Sequence, residues 1–363
     1  MPTEPATAES VRVRRVFRLA AGTALALWLS QAIAWPLSFV APILAMVILS
    51  LPVSRPPAAF FVKIVVALVG SVYASFLFLP LLLHQRVAGL ILVALALFHT
   101  FYLTARGKPA VVGTFITIGI TVTVALGSVS VDVLLAVAEG LAIGALVGAA
   151  VAWLMHIVLP DPPMDRPPPP GPPPPPGHPV RRAIRSLVVV LPVTIFFLLS
   201  PASASNVGAM IKIASMGQEA SGAAAGTAAR SLLLSTVTGG FAAIAAWELL
   251  RIWPSLFLYT LLVAAASVWF AGRMFKGAGP APDAGTWMYG LLTMLVILAP
   301  AVLDAQLGAS ASTTFYDRLG MFLAASAYGV GAVCVFDAFW PIPGERAGTE
   351  LTSVPGKTVS AAH

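Results

Sequence analysis

Charged residues are scarce in this chain of 363 residues: Asp, Glu, Lys and Arg make up 10% of it, whereas 58% of it is apolar. A soluble domain carries about 25% charged residues, which keep its surface hydrated. The composition therefore argues against a soluble globular enzyme, and it excludes a disordered chain, which needs few apolar residues. Cysteine occurs once, as Cys334, which excludes a disulfide framework and a cysteine-based metal site.

Motifs of nucleotide hydrolysis and of hydrolytic catalysis are absent as well. The sequence has no Gly-rich loop ending in Lys-Ser or Lys-Thr, no His-Glu-x-x-His and no nucleophile elbow. We therefore expect no enzyme, no cofactor and no metal, and energy for any transport would come from the proton gradient. A net charge of +7 would suggest nucleic acid in a soluble chain. Here the distribution of the basic residues indicates membrane topology instead, so no nucleic-acid partner is expected.

Long apolar runs dominate the chain. A membrane-spanning helix needs about 20 mostly apolar residues, and each half supplies six candidates. They are 19–35, 37–53, 58–80, 87–105, 109–127 and 131–158, then 186–201, 204–218, 224–247, 255–272, 286–304 and 319–340. The runs are continuously apolar rather than alternating, which favours helices over strands. The sequence predicts an all-α polytopic membrane protein with about 12 transmembrane helices. The second and eighth segments are the weakest, because they are short and interrupted by Pro or Gly.

The basic residues predict the orientation. With both chain ends on the inner side, all but four of the 21 Lys and Arg residues fall on that side. The exceptions are Arg86, Arg251 and Arg318 on the outer side and Lys212 within a span. Cytoplasmic loops collect Lys and Arg. We therefore expect a multi-pass protein of the bacterial inner (plasma) membrane with cytoplasmic N- and C-termini.

A Pro-dominated stretch divides the chain into two hydrophobic halves. The runs Pro167–Pro170 and Pro172–Pro176 cannot form a helix and predict an extended, semi-rigid spacer. The predicted organisation has four parts. They are a first six-helix membrane repeat (1–160), a cytoplasmic linker (161–180), a second six-helix membrane repeat (181–341) and a cytoplasmic tail (342–363).

Basic residues of the two halves correspond when one half is shifted by 167 positions. Arg14, Arg15, Arg18, Lys63 and Arg106 then meet Arg181, Arg182, Arg185, Arg230 and Arg273. Near the ends the shift has grown to 181, so that His156 faces Asp337, which an insertion within or after 277–285 explains. We infer a tandem duplication of a six-span unit. An even number of spans keeps both copies the same way up, as in transporters with parallel repeats.

The opening of each half also carries a family pattern. An Arg-led first span, Arg18 to Trp28, precedes Trp35-Pro36 and then Ala41-Pro42-Ile-Leu-Ala-Met-Val. The third span begins with a basic residue followed by Gly and small residues, as in Lys63 with Gly70-Ser71 and Arg230 with Gly239-Gly240. In these features the chain resembles the fusaric acid resistance (FUSC-like) superfamily, over residues 12–160 and more weakly over 181–341.

The resemblance implies a function. That superfamily contains bacterial aromatic acid exporters and is similar to plant anion channels of the malate-transporter type. It therefore implies efflux of small organic anions, with a periplasmic adaptor protein as the natural partner in a Gram-negative cell. Many members carry sizeable cytoplasmic domains after each membrane repeat. This chain instead looks like a compact, membrane-only branch whose function is often unassigned.

Three polar residues inside proposed spans are candidates for a substrate or ion pathway, because charges within a bilayer are expensive and functional by default. Lys212 lies in the least apolar span and can attract an organic anion; alternatively, its ammonium snorkels to the inner face. Glu139 can carry a proton or serve as a structural carboxylate near the outer rim. His99 can relay protons, although a hydrogen-bonded packing role is favoured.

Three repeated basic pairs fall near the inner face: Arg18/Arg185, Lys63/Arg230 and Arg106/Arg273. The favoured interpretation is that they fix topology and contact lipid headgroups. The functional alternative is a basic vestibule that concentrates anions in the cytoplasm before export.

Together these features favour a proton-driven inner-membrane exporter of small organic anions. Alternating access would rock one half against the other around a site near the midplane. Two alternatives stay open. One is an anion channel, for which a homodimer is one assembly to test, with Lys212 and the inner basic residues setting selectivity. The other is a membrane scaffold in a larger complex.

Overall fold

The computed structural model describes residues 8–35, 37–51, 53, 56–127, 131–161, 178–199, 207–222, 225–306 and 311–340. The first half contains α1 (Ala8–Ile33), α2 (Val40–Leu49), α3 (Ala58–Ser75), α4 (Leu79–His84), α5 (Arg86–Ala105), α6 (Ala110–Gly127) and α7 (Val131–Val158). The second contains α8 (Pro179–Leu199), α9 (Val207–Gly222), α10 (Ala225–Ile252), α11 (Leu256–Met274), β1 (Phe275–Lys276), β2 (Gly279–Pro280), α12 (Ala284–Gln306) and α13 (Ala311–Phe339). Most of the predicted linker (162–177) and the predicted tail lie outside the described residues.

Nine stretches among the described residues are long and apolar enough to cross a membrane. They are Ala8–Ile33, Ala58–His84, Arg86–Ala105, Asp132–Val158, Pro179–Leu199, Ala229–Ile252, Leu256–Met274, Ala284–Leu303 and Phe315–Phe339. The outer surface of the bundle is correspondingly apolar, with Leu77 75% exposed and Ile252 81% exposed. Such side chains suit lipid rather than water. The chain is thus an all-α, multi-pass membrane protein, as the sequence predicts.

Every predicted segment overlaps a helix, but the first helix of each half starts earlier than predicted. Helix α1 begins at Ala8 rather than near residue 19, and α8 begins at Pro179 rather than near 186. The added turns contain arginines, and a search for apolar runs excludes turns with charged residues. Their guanidinium groups find partners in the fold, as described below. Pro179 suits its place, because proline at the first helical position loses no helical hydrogen bond.

The second helix of each half is short. Helix α2 has 10 residues and α9 has 16, which give about 15 and 24 Å of helix rise. The hydrocarbon core of a bilayer is about 30 Å thick. All ten residues of α2 are buried. The described side chains of α9, at positions 210–218 and 220, are buried too. Both short helices therefore lie inside the bundle rather than facing lipid.

Helices pack in corresponding pairs in the two halves when α3 and α4, which together form the stretch Ala58–His84, are counted as the third helix of the first half. Within the first half α1 packs on α2 and α7, and α3 packs on α6 and α7. Within the second half α8 packs on α9 and α13, and α10 packs on α12 and α13. Across the halves, α1 packs on α11 while α8 packs on α5, and α2 packs on α12 while α9 packs on α6. The first and second helices of each half thus contact the fourth and fifth helices of the other.

Glycines permit the closest of these contacts. A Cβ atom at Gly119 of α6 would overlap the hydroxyl of Ser71 in α3. In the second half, a Cβ atom at Gly239 of α10 would overlap the carbonyl oxygen of Gly290 in α12. One at Gly290 would lie 3.1 Å from the hydroxyl oxygen of Thr238 and 2.6 Å from Phe270. The third and fifth helices of each half therefore cross with their backbones close together.

Gly239→Ala is expected to destabilise the protein, because the methyl group meets the rigid backbone of Gly290. The cost should be about 1–3 kcal/mol, as for other overpacked sites. Gly240→Ala is the matched control, since its methyl group would find only Leu319, at 3.6 Å, and alanine favours helix. Thermal unfolding of the detergent-solubilised protein measures both. Equal melting temperatures for the two variants would contradict the close crossing.

Candidate functional site

Lys212 is a buried charged side chain on a helix that contacts both halves. It lies on α9, which packs against α5 and α6 of the first half and against α8, α10, α12 and α13 of the second. Lys212 is 1% exposed, and its Nζ atom lies 5.9 Å from the ring centroid of Tyr289 on α12. A lysine so deep in a membrane bundle is costly and marks a functional site by default.

A side-chain hydrogen bond from the same helix crosses the interface between the halves. The side-chain amide of Gln218 on α9 donates to the hydroxyl oxygen of Thr117 on α6 over 3.1 Å. Thr117 in turn donates to the carbonyl oxygen of Gly113, one turn earlier. Such internal bonds let hydroxyl groups sit in apolar surroundings at low cost. We call Lys212 and Tyr289 together the Lys212 site.

A narrow gap lies between α6, α8 and α9. It is lined by Thr121, Ala125, Thr194, Phe197, Met210 and Ile213, and it is too tight for a water molecule. Met210 and Ile213 flank Lys212 in sequence. The three helices therefore meet closely in this conformation.

Two buried arginines of α1 share one carboxylate at the end of α7. Arg15 donates to Asp161 Oδ2 from Nε over 2.9 Å and from Nη2 over 2.7 Å. Arg18 donates to Asp161 Oδ1 over 2.9 Å. Both arginine side chains are 0% exposed and that of Asp161 is 2% exposed. Buried charges need such partners, so Asp161 explains how α1 can carry two buried arginines.

The second half has a related arrangement. Arg185 of α8 donates to the Ala220 carbonyl oxygen of α9 from Nη2 over 2.6 Å. It also reaches Asp337 near the end of α13, with nitrogen–oxygen distances of 3.4 Å. The first and sixth helices of each half are thus joined by an arginine–aspartate pair, and the pair with Asp337 is looser. We call the end of the bundle with these pairs the arginine end.

The structure separates the three predicted pathway residues. Lys212 is buried, whereas Glu139 of α7 and His99 of α5 are exposed on the surface of the chain. Glu139 shares its exposed face with Leu135 and Ile143. Neither side chain joins the Lys212 site, so their role as proton carriers stays a prediction.

The predicted basic pairs fall into two groups, one buried and one exposed. Arg18 and Arg185 are buried and paired with aspartates. Lys63, Arg230, Arg106 and Arg273 are exposed. Arg106 lies over the ring of Tyr102, and Arg273 over the rings of Trp269 and Trp287. The six side chains therefore do not form one cluster; two of them hold helices together and four face outward.

Sequence reasoning missed the partners of these residues. Asp161 and Asp337 both follow or end the sixth helix of a half, opposite the arginines that start the first helix. That recurrence of opposite charges was a usable signal. Gln218 and Tyr289 carried none, because their place depends on which helices pack together in the folded chain. Among the described residues, no three His, Cys, Asp or Glu side chains are grouped to hold a metal ion.

Comparison with known proteins gives one match. Residues 15–155 match the family described as "Protein of unknown function (DUF2955)". The matched region includes Arg15 and Arg18 and ends before Asp161 and the whole second half, including Lys212. No curated protein and no solved structure matches the chain. The chain is thus similar to that family over most of its first half, and the match assigns no substrate.

Proposed function

We propose that the protein is a membrane transporter that exports small organic anions in exchange for protons. The observation that carries this proposal is Lys212, a fully buried cation on a short helix that contacts both halves. A short helix at corresponding places in two halves is a good indicator of a transporter binding site. A buried ammonium favours an anionic substrate, as does the resemblance to the FUSC-like superfamily.

The proposed transport motion rests on a tandem repeat of two six-helix units. The paired helix contacts support this repeat, as do the glycine crossings at Gly119 and Gly290. With six helices in each unit, both copies have the same orientation, and the basic residues favour a cytoplasmic arginine end. Rocking of one unit against the other would open the Lys212 site to each side in turn.

The proposal leaves the proton-carrying residue to experiment. Glu139 and His99 face outward, so a route through either needs a contact outside the chain, such as a second copy. The periplasmic adaptor is likewise a proposal from the resemblance alone.

Flux measurements on the purified protein in liposomes test this function. With a panel of aromatic acids inside the vesicles, we expect saturable efflux that speeds up when a proton gradient is imposed and that moves protons in the opposite direction. Protein-free liposomes and heat-inactivated protein are the controls. Non-saturating conductance with a stable reversal potential would replace the exchanger with an anion channel. Absence of any flux across the panel, with correctly folded protein, would favour a scaffold.

A further inference from the structure

The link between the fourth and fifth helices differs between the halves. In the first half, residues 106–109 join α5 to α6. In the second half, residues 275–283 join α11 to α12 and form the β1–β2 hairpin, in which Phe275 pairs with Pro280 and Lys276 with Gly279. Gly277 at its tip has φ +58°, a conformation that favours glycine. The longer link forms a hairpin that the link of residues 106–109 does not form.

This hairpin borders a cavity of about 520 Å³ at the arginine end. The charged and aromatic residues around it are Glu9, Arg12, Arg273, Phe275, Lys276, Asp283 and Trp287. Arg12 fixes one wall, donating to the carbonyl oxygens of Phe275 over 3.1 Å and Gly272 over 3.0 Å. The cavity is therefore framed by the start of α1, the hairpin and the start of α12.

Both carboxylates of the cavity already have partners. Glu9 accepts a hydrogen bond from Arg12 over 2.9 Å, and Asp283 accepts one from the indole nitrogen of Trp287 over 2.7 Å. Arg273 and Lys276 are exposed, and no carboxylate among the described residues forms an ion pair with either. The cavity thus offers two cations to an anion from outside the chain.

Aromatic rings hold Arg273 in place. Its guanidinium carbon lies 3.8 Å from the ring centroid of Trp269 and 5.2 Å from that of Trp287. Such stacking fixes the planar group and leaves its edge available to oxygen atoms. Tryptophan is enriched at the level of lipid headgroups, which is the level that the end of a spanning helix occupies.

An apolar track leads from this cavity along α11. Phe257, Leu261 and Val268 lie on one face of the helix and are 73%, 53% and 40% exposed. Gly272 continues this face to the cavity, and nothing lies within 4 Å of the position where its Cβ would be. The cavity is therefore open toward a surface that suits acyl chains.

We propose that this cavity binds the phosphate headgroup of an anionic phospholipid, with its acyl chains along α11. Arg273 and Lys276 contact the phosphate, and Trp269 and Trp287 flank it at the headgroup level. A free phosphate ion would use the two cations but not the apolar track. The proposal does not depend on the transport function.

Native mass spectrometry of the full-length protein in detergent tests the site, with phosphatidylglycerol and phosphatidylcholine of the same chain length as probes. We expect the wild-type protein to retain phosphatidylglycerol more strongly. Arg273→Gln combined with Lys276→Gln should weaken that retention roughly 30-fold, from two cations near the headgroup. The matched control is Arg106→Gln with Lys108→Gln, which removes the same charge from the corresponding link of the first half and should change little.

Three results would overturn the site. The first is an equal loss of phosphatidylglycerol in both double variants, since it would indicate general attraction rather than a site. The second is unchanged retention in the Arg273 and Lys276 variant. The third is displacement of the lipid by inorganic phosphate at similar concentrations, which would point to a free anion instead. Because the changed side chains are exposed, unaltered thermal unfolding of both variants serves as the folding check.

Discussion

Asp161→Asn is expected to destabilise the protein by about 3–5 kcal/mol, the usual cost of removing one partner from a buried ion pair. The aspartate neutralises one of two fully buried arginines, Arg15 and Arg18, over 2.7–2.9 Å. Without its charge, two guanidinium groups of like charge stay close together out of water. The loss should appear as a lower melting temperature and a poorer yield of monodisperse protein in detergent.

Two other acidic residues provide a graded comparison. Asp337→Asn should cost less, because Asp337 lies 3.4 Å from Arg185 and its side chain is 16% exposed. Glu248→Gln should cost less than about 1 kcal/mol, because its pair with Arg251 is exposed. Adding Arg18→Gln to Asp161→Asn should restore part of the stability, since it returns the cluster to its original net charge. Similar melting temperatures for Asp161→Asn and Glu248→Gln would contradict the buried cluster.

The helices of this chain could be predicted because a bilayer imposes a simple rule. Runs of about 20 apolar residues have few other uses, so even the short α2 and α9 were located. The starts of α1 and α8 could not be predicted, because the arginines there are too polar for an apolar run. These arginines are accommodated in the helices because Asp161, Asp337 and carbonyl oxygens accept hydrogen bonds from them. Those partners lie more than 30 residues away in sequence.

Which face a side chain occupies was much harder to predict. Lys212 was found by a rule that needs no direction: a charge inside a bilayer is rare and costly. Glu139 and His99 satisfy the same rule, yet they face outward. Helices α5 and α7 are apolar all round, so the hydrophobic pattern contains no polar face that marks the interior. Only the packing of α5 on α8, and of α7 on α2 and α3, decides it.

The shift of 167 positions between the halves also matched residues with similar surroundings. It aligned Arg18 with Arg185, and both of these arginines are buried and paired with an aspartate. It aligned Arg106 with Arg273 as well, but the longer second link gives Arg273 surroundings that Arg106 lacks. The shift therefore indicates which residues correspond, whereas the length of the neighbouring link decides whether their surroundings are alike.

Lys212→Gln is expected to reduce organic-anion flux roughly 30-fold or more, the effect of losing one member of a buried charge contact. Glutamine keeps most of the length of the side chain and its hydrogen-bonding capacity but removes the positive charge. Lys212→Arg keeps the charge, so it should retain transport with a raised KM, because the larger guanidinium must fit beside Tyr289. Efflux from liposomes at several substrate concentrations separates the two parameters.

Ser215→Ala is the control for this prediction, since Ser215 is equally buried one turn along α9 and its hydroxyl donates to the carbonyl oxygen of Lys212. It should leave flux within about twofold of wild type, as removal of a hydrogen bond within one helix costs little. Thermal unfolding of all three variants separates loss of transport from loss of fold. Full flux in a folded Lys212→Gln protein would show that the lysine does not bind the transported anion. Equal losses in Lys212→Gln and Lys212→Arg, with lowered melting temperatures in both, would assign it a packing role instead.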